Sequence, residues 1–208
     1  MRTMLSMLAG WSVLVLAGTV GAQEKPMPTE AEKQATAAIK KLGGQVLELA
    51  QNDARLDVAF HLADGKITDK EVALVKDLSK TANLNLRGTE VTDAGLASIK
   101  DLKGLLRLHL EKTKVTDAGL EHLKGLENLE YLNLYGTTVT DAGLKHLEGL
   151  KKLRRLYLWQ APVTDAGVAA LKAAIPEIQI TRGVELAKPA EPKPEEKKPE
   201  EKKPEEKK

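Results

Sequence analysis

The chain of 208 residues contains no cysteine. That absence excludes disulfide staples, thiolate metal sites, a cysteine nucleophile and covalent haem attachment through a CxxCH motif. Aromatic residues make up only 3%, with one Phe, three Tyr and two Trp, so the core has to be aliphatic and each aromatic is informative by its position. An excess of one charge is lacking too: 32 Lys+Arg against 30 Asp+Glu leave a formal net charge of +2, which excludes a polyanion binder driven by bulk charge. The GxSxG, HExxH, P-loop and GxGxxG patterns are all missing, as is a Ser with His and Asp in one compact segment. No enzyme activity and no cofactor is expected.

The one long uncharged stretch is residues 3–23. It follows Arg2, is strongly apolar over 12–20 and ends in Val20-Gly21-Ala22. This is the pattern of a secretory signal peptide over 1–22, cleaved after Ala22. It implies an exported chain, periplasmic or extracellular, with no integral membrane association after cleavage; the alternative is a retained anchor. At the other end, residues 188–208 contain only Lys, Glu, Pro and Ala, with eight Lys, seven Glu and five of the nine prolines. With nothing apolar to bury, the segment 187–208 is expected to be a disordered, partly polyproline-II polyampholyte.

Between these ends a repeat dominates. Val91-Thr92-Asp93-Ala94-Gly95-Leu96 returns at 115–120, at 139–144 and, as Val163 to Val168, always 24 residues on; Ile67-Thr68-Asp69 is a diverged earlier copy. In the cleanest unit, spacing of three over Leu120, Leu123 and Leu126 suits a short helix, and spacing of two over Leu132 and Leu134 suits a strand. One strand and one helix this short cannot close a core, so neighbouring units must stack and share leucines. With units reading LxxLxLxxTxVTDxGLxxLxxL over residues 60–180, the chain resembles the leucine-rich repeat family, and the VTDAGL form resembles exported bacterial members. The resemblance implies an α/β solenoid: a curved, right-handed β-α array with a parallel sheet on the concave side and short helices on the convex side. An N-terminal cap is expected over 23–56, with a helix at 29–42 and then a strand, followed by repeats and a C-terminal cap over 57–186.

Local residues carry their own expectations. Thr116-Asp117 and its equivalents are placed to cap the helices. Gly125 and Gly149 are placed for left-handed helix ends. Gly95, Gly119, Gly143 and Gly167, inside first helical turns, imply close approach to the preceding unit. The column Asp69, Asp93, Asp117, Asp141 and Asp165 is explained as caps and not as a calcium ladder, and His122 and His146 as a solvated helix face. Neither makes a metal site. The basic cluster Lys151, Lys152, Arg154 and Arg155 has Glu127 and Glu148 available to neutralise it, and no nucleic-acid partner is expected.

The strand columns are the candidate site, because an outward residue between core leucines has no packing role. They display Asn83, Asn85 and Arg87, then Arg107, His109 and Glu111, then Tyr131, Asn133 and Tyr135, then Arg155, Tyr157 and Trp159. Every tyrosine falls there, as does the one tryptophan outside the signal segment. Arg87, Arg107, His109, Tyr131, Asn133, Tyr135, Arg155, Tyr157 and Trp159 are the expected binding residues, since aromatics interleaved with Arg match interface hot spots. A monomeric, non-catalytic module that binds a protein partner is expected, as the resemblance implies. The alternatives are a carbohydrate-binding module for envelope polysaccharide, with Tyr131, Tyr157 and Trp159 stacking on sugar rings, and a structural envelope or spacer protein without a specific ligand.

Overall fold

The computed structural model describes residues 27–51, 53–63 and 65–183; the predicted signal segment and the Lys/Glu/Pro tail lie outside the described residues. Helix α1 (Glu30–Lys41) begins at Thr29. The Thr29 hydroxyl accepts from the Glu32 N–H at 3.2 Å, and the Glu32 carboxylate accepts from the Thr29 N–H at 2.7 Å, so two free donors of the first turn are satisfied reciprocally. Ala35 and Ile39 bury its inner face, and Gly43, at φ 79°, ends the helix.

Strands β1 (Gln45–Ala50) and β2 (Asp53–Ala59) pair antiparallel. The other side of β2 pairs in parallel with β3 (Thr81–Asn85). The line between cap and repeats expected at residues 56 and 57 therefore runs through a strand that belongs to both. Beyond β3 the sheet continues in chain order through β4 (Arg107–His109), β5 (Tyr131–Asn133), β6 (Arg155–Tyr157) and β7 (Gln179–Thr181). Partners step by one repeat each time, Asn83 to Arg107 to Tyr131 to Arg155 to Gln179.

Short helices return the chain between strands: α2 (Asp69–Val72) with a 3-10 turn at Ala73–Asp77, α3 (Asp93–Ile99), α4 (Asp117–Glu121), α5 (Asp141–Leu144) with a 3-10 turn at Lys145–Leu147, and α6 (Asp165–Ala174). Helices of one or two turns are unstable in isolation. Here Leu84, Leu108, Leu132 and Leu156 from the strands meet Leu123 and Leu147 from the helical side, all at 0% exposure, and burial of this shared leucine layer holds both elements. Thr89, Thr113 and Thr137 close the turn after each strand by donating to the carbonyls of Leu86, Leu110 and Leu134 at 2.6 to 2.8 Å. No helix among the described residues is long and apolar enough to cross a membrane.

Two glycine expectations meet different outcomes. Gly125 and Gly149 are not among the residues with positive φ; the left-handed column lies after the strands instead, at Gly88 (70°), Lys112 (53°), Gly136 (67°) and Gln160 (60°), each 24 residues from the last. The chain has to reverse tightly there to leave the sheet, so the left-handed position follows the strand and not the helix. The Gly95, Gly119, Gly143 and Gly167 column is tight as expected. A Cβ there would lie 2.6, 2.3, 2.4 and 2.2 Å from Oδ1 of Asp69, Asp93, Asp117 and Asp141 respectively.

Candidate functional site: the outer face of the sheet

Two columns of polar residues compete as sites, and the aspartates are the first. They are the first residues of their helices, and the cap is the threonine before: the hydroxyls of Thr92, Thr116 and Thr140 accept from the N–H two residues on at 3.2 to 3.3 Å. Each aspartate instead reaches forward one unit. The Asp117 carboxylate accepts from both the N–H and the hydroxyl of Thr140 at 2.7 Å, and Asp69, Asp93 and Asp141 do the same to Thr92, Thr116 and Thr164. The column thus clips units together, and the glycines leave room for it. For Asp141 the hydroxyl and the N–H of Thr164 hold the carboxyl below its ordinary value. Asp165, the last, pairs with Arg182. With oxygens consumed in this way, no group of three or more potential ligands gathers among the described residues.

The basic cluster disperses in the same way. Arg154 pairs with Glu177, Lys151 donates to the carbonyls of Glu148 and Ala174 at 2.9 Å, and Lys152 donates to Asn128 at 2.7 Å. Sequence neighbours on a strand end point to different faces, so Arg155 alone joins the sheet surface.

On that surface the expected residues come together. Along one diagonal the rings of His109, Tyr131 and Tyr157 are 4.7 and 5.3 Å apart, and on the next column Tyr135 stacks on Trp159 at 5.0 Å with 17° between planes. The Arg155 guanidinium lies 5.6 Å from the Tyr131 ring centre, within cation–π range. The three tyrosines are half-buried, Tyr131 and Tyr157 against each other and Tyr135 against Trp159, whereas Trp159 is 50% exposed. Arg87 and Arg107 are exposed. The cross-strand packing that strand propensity alone would produce is therefore present, and Trp159 stays half exposed at its end although the Gly183 backbone lies against its indole.

Glu111 departs from expectation. It does not display its charge but is buried, at 7% exposure. One of its oxygens accepts from the Asn133 amide at 2.7 Å and lies 2.9 Å from His109 Nδ1. Asn133 also accepts from the Tyr135 N–H at 3.1 Å, so it positions the tyrosines from beneath. Burial, with the nearby charge of Glu111 acting in the same direction, pushes the Tyr131 phenol above its ordinary range, against the Asn133 hydrogen bond. Sequence reasoning missed two further members. Lys112 stands in the left-handed column with its ammonium 5.6 Å from the Tyr135 ring centre, and Asp57 on β2 accepts from the Asn83 amide at 2.9 Å. The 24-residue comparison of Lys112 with Gly88 and Gly136 was the available signal for the first; nothing marked the second, because β2 lacks the repeat pattern.

No family model and no curated protein matches the chain. Among solved structures it is similar over 52% of its length to an internalin C2 from Listeria monocytogenes, at 28% identity and a TM-score of 0.46, covering 44% of that chain. Over 74% it is similar to the leucine-rich repeat ectodomain of the receptor kinase SOBIR1 from Arabidopsis thaliana, at 15% identity and 0.48, covering 92% of that chain. Over 59% it is similar to the Leptospira interrogans leucine-rich repeat protein LIC12759, at 20% identity and 0.43, covering 36%. The chain thus spans less than two thirds of the first and third of these. The fold is a leucine-rich repeat solenoid. That statement stands on the constant 24-residue register across the four parallel strand pairings from β3 to β7, joined by short helices or turns.

Proposed function

We propose that this solenoid is an exported, monomeric, non-catalytic interaction module that binds a protein partner on the outer, concave face of its sheet. The observation that carries the reading is the gathering of Tyr131, Tyr135, Tyr157 and Trp159 with Arg107 and Arg155 on one surface that the core does not need. Ring faces and guanidinium groups on a rigid sheet are pre-organised, and such groups dominate the energetics of protein interfaces. Export rests on the apolar segment ending at Ala22.

The test is capture from the envelope or secreted fraction by the full chain and by the W159A and Y157A variants. Both substitutions keep the fold, because neither side chain belongs to the leucine layer, and each weakens capture by about 1 to 4 kcal/mol. E121A and K145A on the helical side change it by under about 0.5 kcal/mol. Equal effects on both faces would move the binding surface elsewhere. A mature N-terminus at Gln23, read by mass, supports export.

A further inference from the structure

The sheet face gathers its cations beside its aromatic rings. Off the sheet face several cations pair with carboxylates, Lys33 with Glu30, Lys66 and Lys114 with Glu90, Lys124 with Glu121, Arg154 with Glu177 and Arg182 with Asp165, while others, such as Lys40, Lys70, Lys100 and Lys145, stand singly in solvent. On the columns of the sheet from β3 to β6 no Arg or Lys is paired with a carboxylate of the described residues. Of the carboxylates that face it, Asp57 accepts from Asn83, and Glu111 is buried with Oε1 against Asn133 and His109 and Oε2 without a hydrogen-bond partner among the described residues, while Glu130, at the rim before β5, acts on Arg55. Arg87, Arg107, Lys112 and Arg155 are exposed, and none of them has a carboxylate partner within 4.0 Å among the described residues. A chain with a net charge of only +2 thus concentrates unmatched cations beside its aromatic rings. Lys112 does so from a left-handed backbone position that costs a non-glycine residue about 1 to 2 kcal/mol, in a column that has Gly in two of its four members.

We infer that the sheet face takes an acidic, extended or polyproline-II polypeptide segment, with carboxylates on Arg107 and Arg155 and an apolar residue or proline on the ring of Tyr157 or Trp159. This deepens the protein-binding reading above and rests on it. The spacing fits: Arg107 and Arg155 flank Tyr131 on alternate strands, two strand separations or about 9.6 Å apart, and three residues of polyproline II rise about 9.3 Å. Much of the polar capacity that would recognise sugar hydroxyls is engaged, because Asn83 donates to Asp57, Asn133 donates to Glu111, and Asn85 accepts from the Arg87 N–H at 3.1 Å. What remains exposed is guanidinium, ammonium and half of the Trp159 indole, which suits carboxylate and proline.

The probe is a dye-labelled (Glu-Pro-Pro)4 peptide, titrated into the full chain by fluorescence anisotropy. Binding is expected to weaken at least tenfold in R107Q/R155Q, to weaken several-fold between 50 and 200 mM salt, and to change less than twofold in K33Q/K124Q, with the melting temperature of each variant confirming its fold. (Lys-Pro-Pro)4 is expected to bind at least tenfold more weakly. Equal binding of the lysine peptide, or an undiminished R107Q/R155Q, overturns the inference. If neutral (Gln-Pro-Pro)4 binds as tightly and W159A abolishes that binding, the acidic preference falls while the sheet-face reading stands. If W159A and Y157A leave every probe unchanged, the sheet-face reading itself falls. Tenfold tighter binding of polygalacturonate, with the same arginine dependence, replaces the polypeptide by an acidic polysaccharide.

Discussion

The helical edge of each repeat and the sheet face of each repeat occupy the same 24 residues and obey opposite rules. At the edge, Thr, Asp and Gly recur at the same offsets because each makes a bond or leaves a space for the neighbouring unit; Asp117 meets Thr140 and lies over Gly143. On the face, the same column reads Asn83, Arg107, Tyr131, Arg155 and Gln179. Backbone ladder bonds hold those strands whatever the outward side chain is, so composition there is free to answer to something outside the fold. The lesson is that in a stacked repeat, identity from unit to unit marks the mechanics, and variation on an ordered surface marks the place to look for binding.

The comparison is broken most severely in the layer that both regions share. Leu132→Ala is expected to lose about 2 to 5 kcal/mol in chemical denaturation, because stacked units on both sides cannot collapse into the cavity; stability equal to wild type would mean the register is wrong. Next comes the edge. Asp117→Ala removes two hydrogen bonds to Thr140 and costs about 1 to 3 kcal/mol, and Gly143→Ala, whose Cβ would sit 2.4 Å from Asp117 Oδ1, costs a similar amount, about 1 to 3 kcal/mol. Combined, they cost less than their sum, since the first deletes the atoms with which the second collides. A strictly additive pair would dismiss the clip. Gly136→Ala, at φ 67°, loses about 1 kcal/mol, read by the same unfolding measurement.

Acid sharpens the contrast further. Asp141, Glu71 and Glu90 are held below their ordinary values, respectively by Thr164, by Thr68, and by Lys66 with Lys114. Their folded pKa values lie below the unfolded ones, so the stabilisation is complete above the unfolded carboxylate range and is lost as pH falls through the folded values. Urea midpoints should stay flat through neutral pH and drop below about pH 4, and Thr164→Ala should flatten part of that drop. The smallest stability effect belongs to the face: Trp159→Ala should shift unfolding by under about 1 kcal/mol, while its effect on binding is the larger one.

Much of this was legible along the chain because the repeat is local. The 24-residue return of VTDAGL, the switch from spacing of three to spacing of two, and the capping box at Thr29 and Glu32 each report bonds made within a few residues, and the aromatic surface followed from counting alternate strand positions. Strand β2 was not legible, since its residues lack the repeat and its pairing with β1 and β3 is a long-range choice. Nor was the burial of Glu111: an outward strand position reads as exposed until Asn133 and His109, one repeat away and two residues away, close over its carboxylate.

By itself the sequence determined the stacking unit, its length and the side of the sheet on which each residue stands, because those follow from periodicities that every unit repeats. Only the tertiary structure decided what the aspartates bond to, where the left-handed turn falls and which charges on the sheet are spent and which are left open. Those are properties of contacts between units, where a shift of a few ångströms separates a cap from a clip and a displayed carboxylate from a buried one.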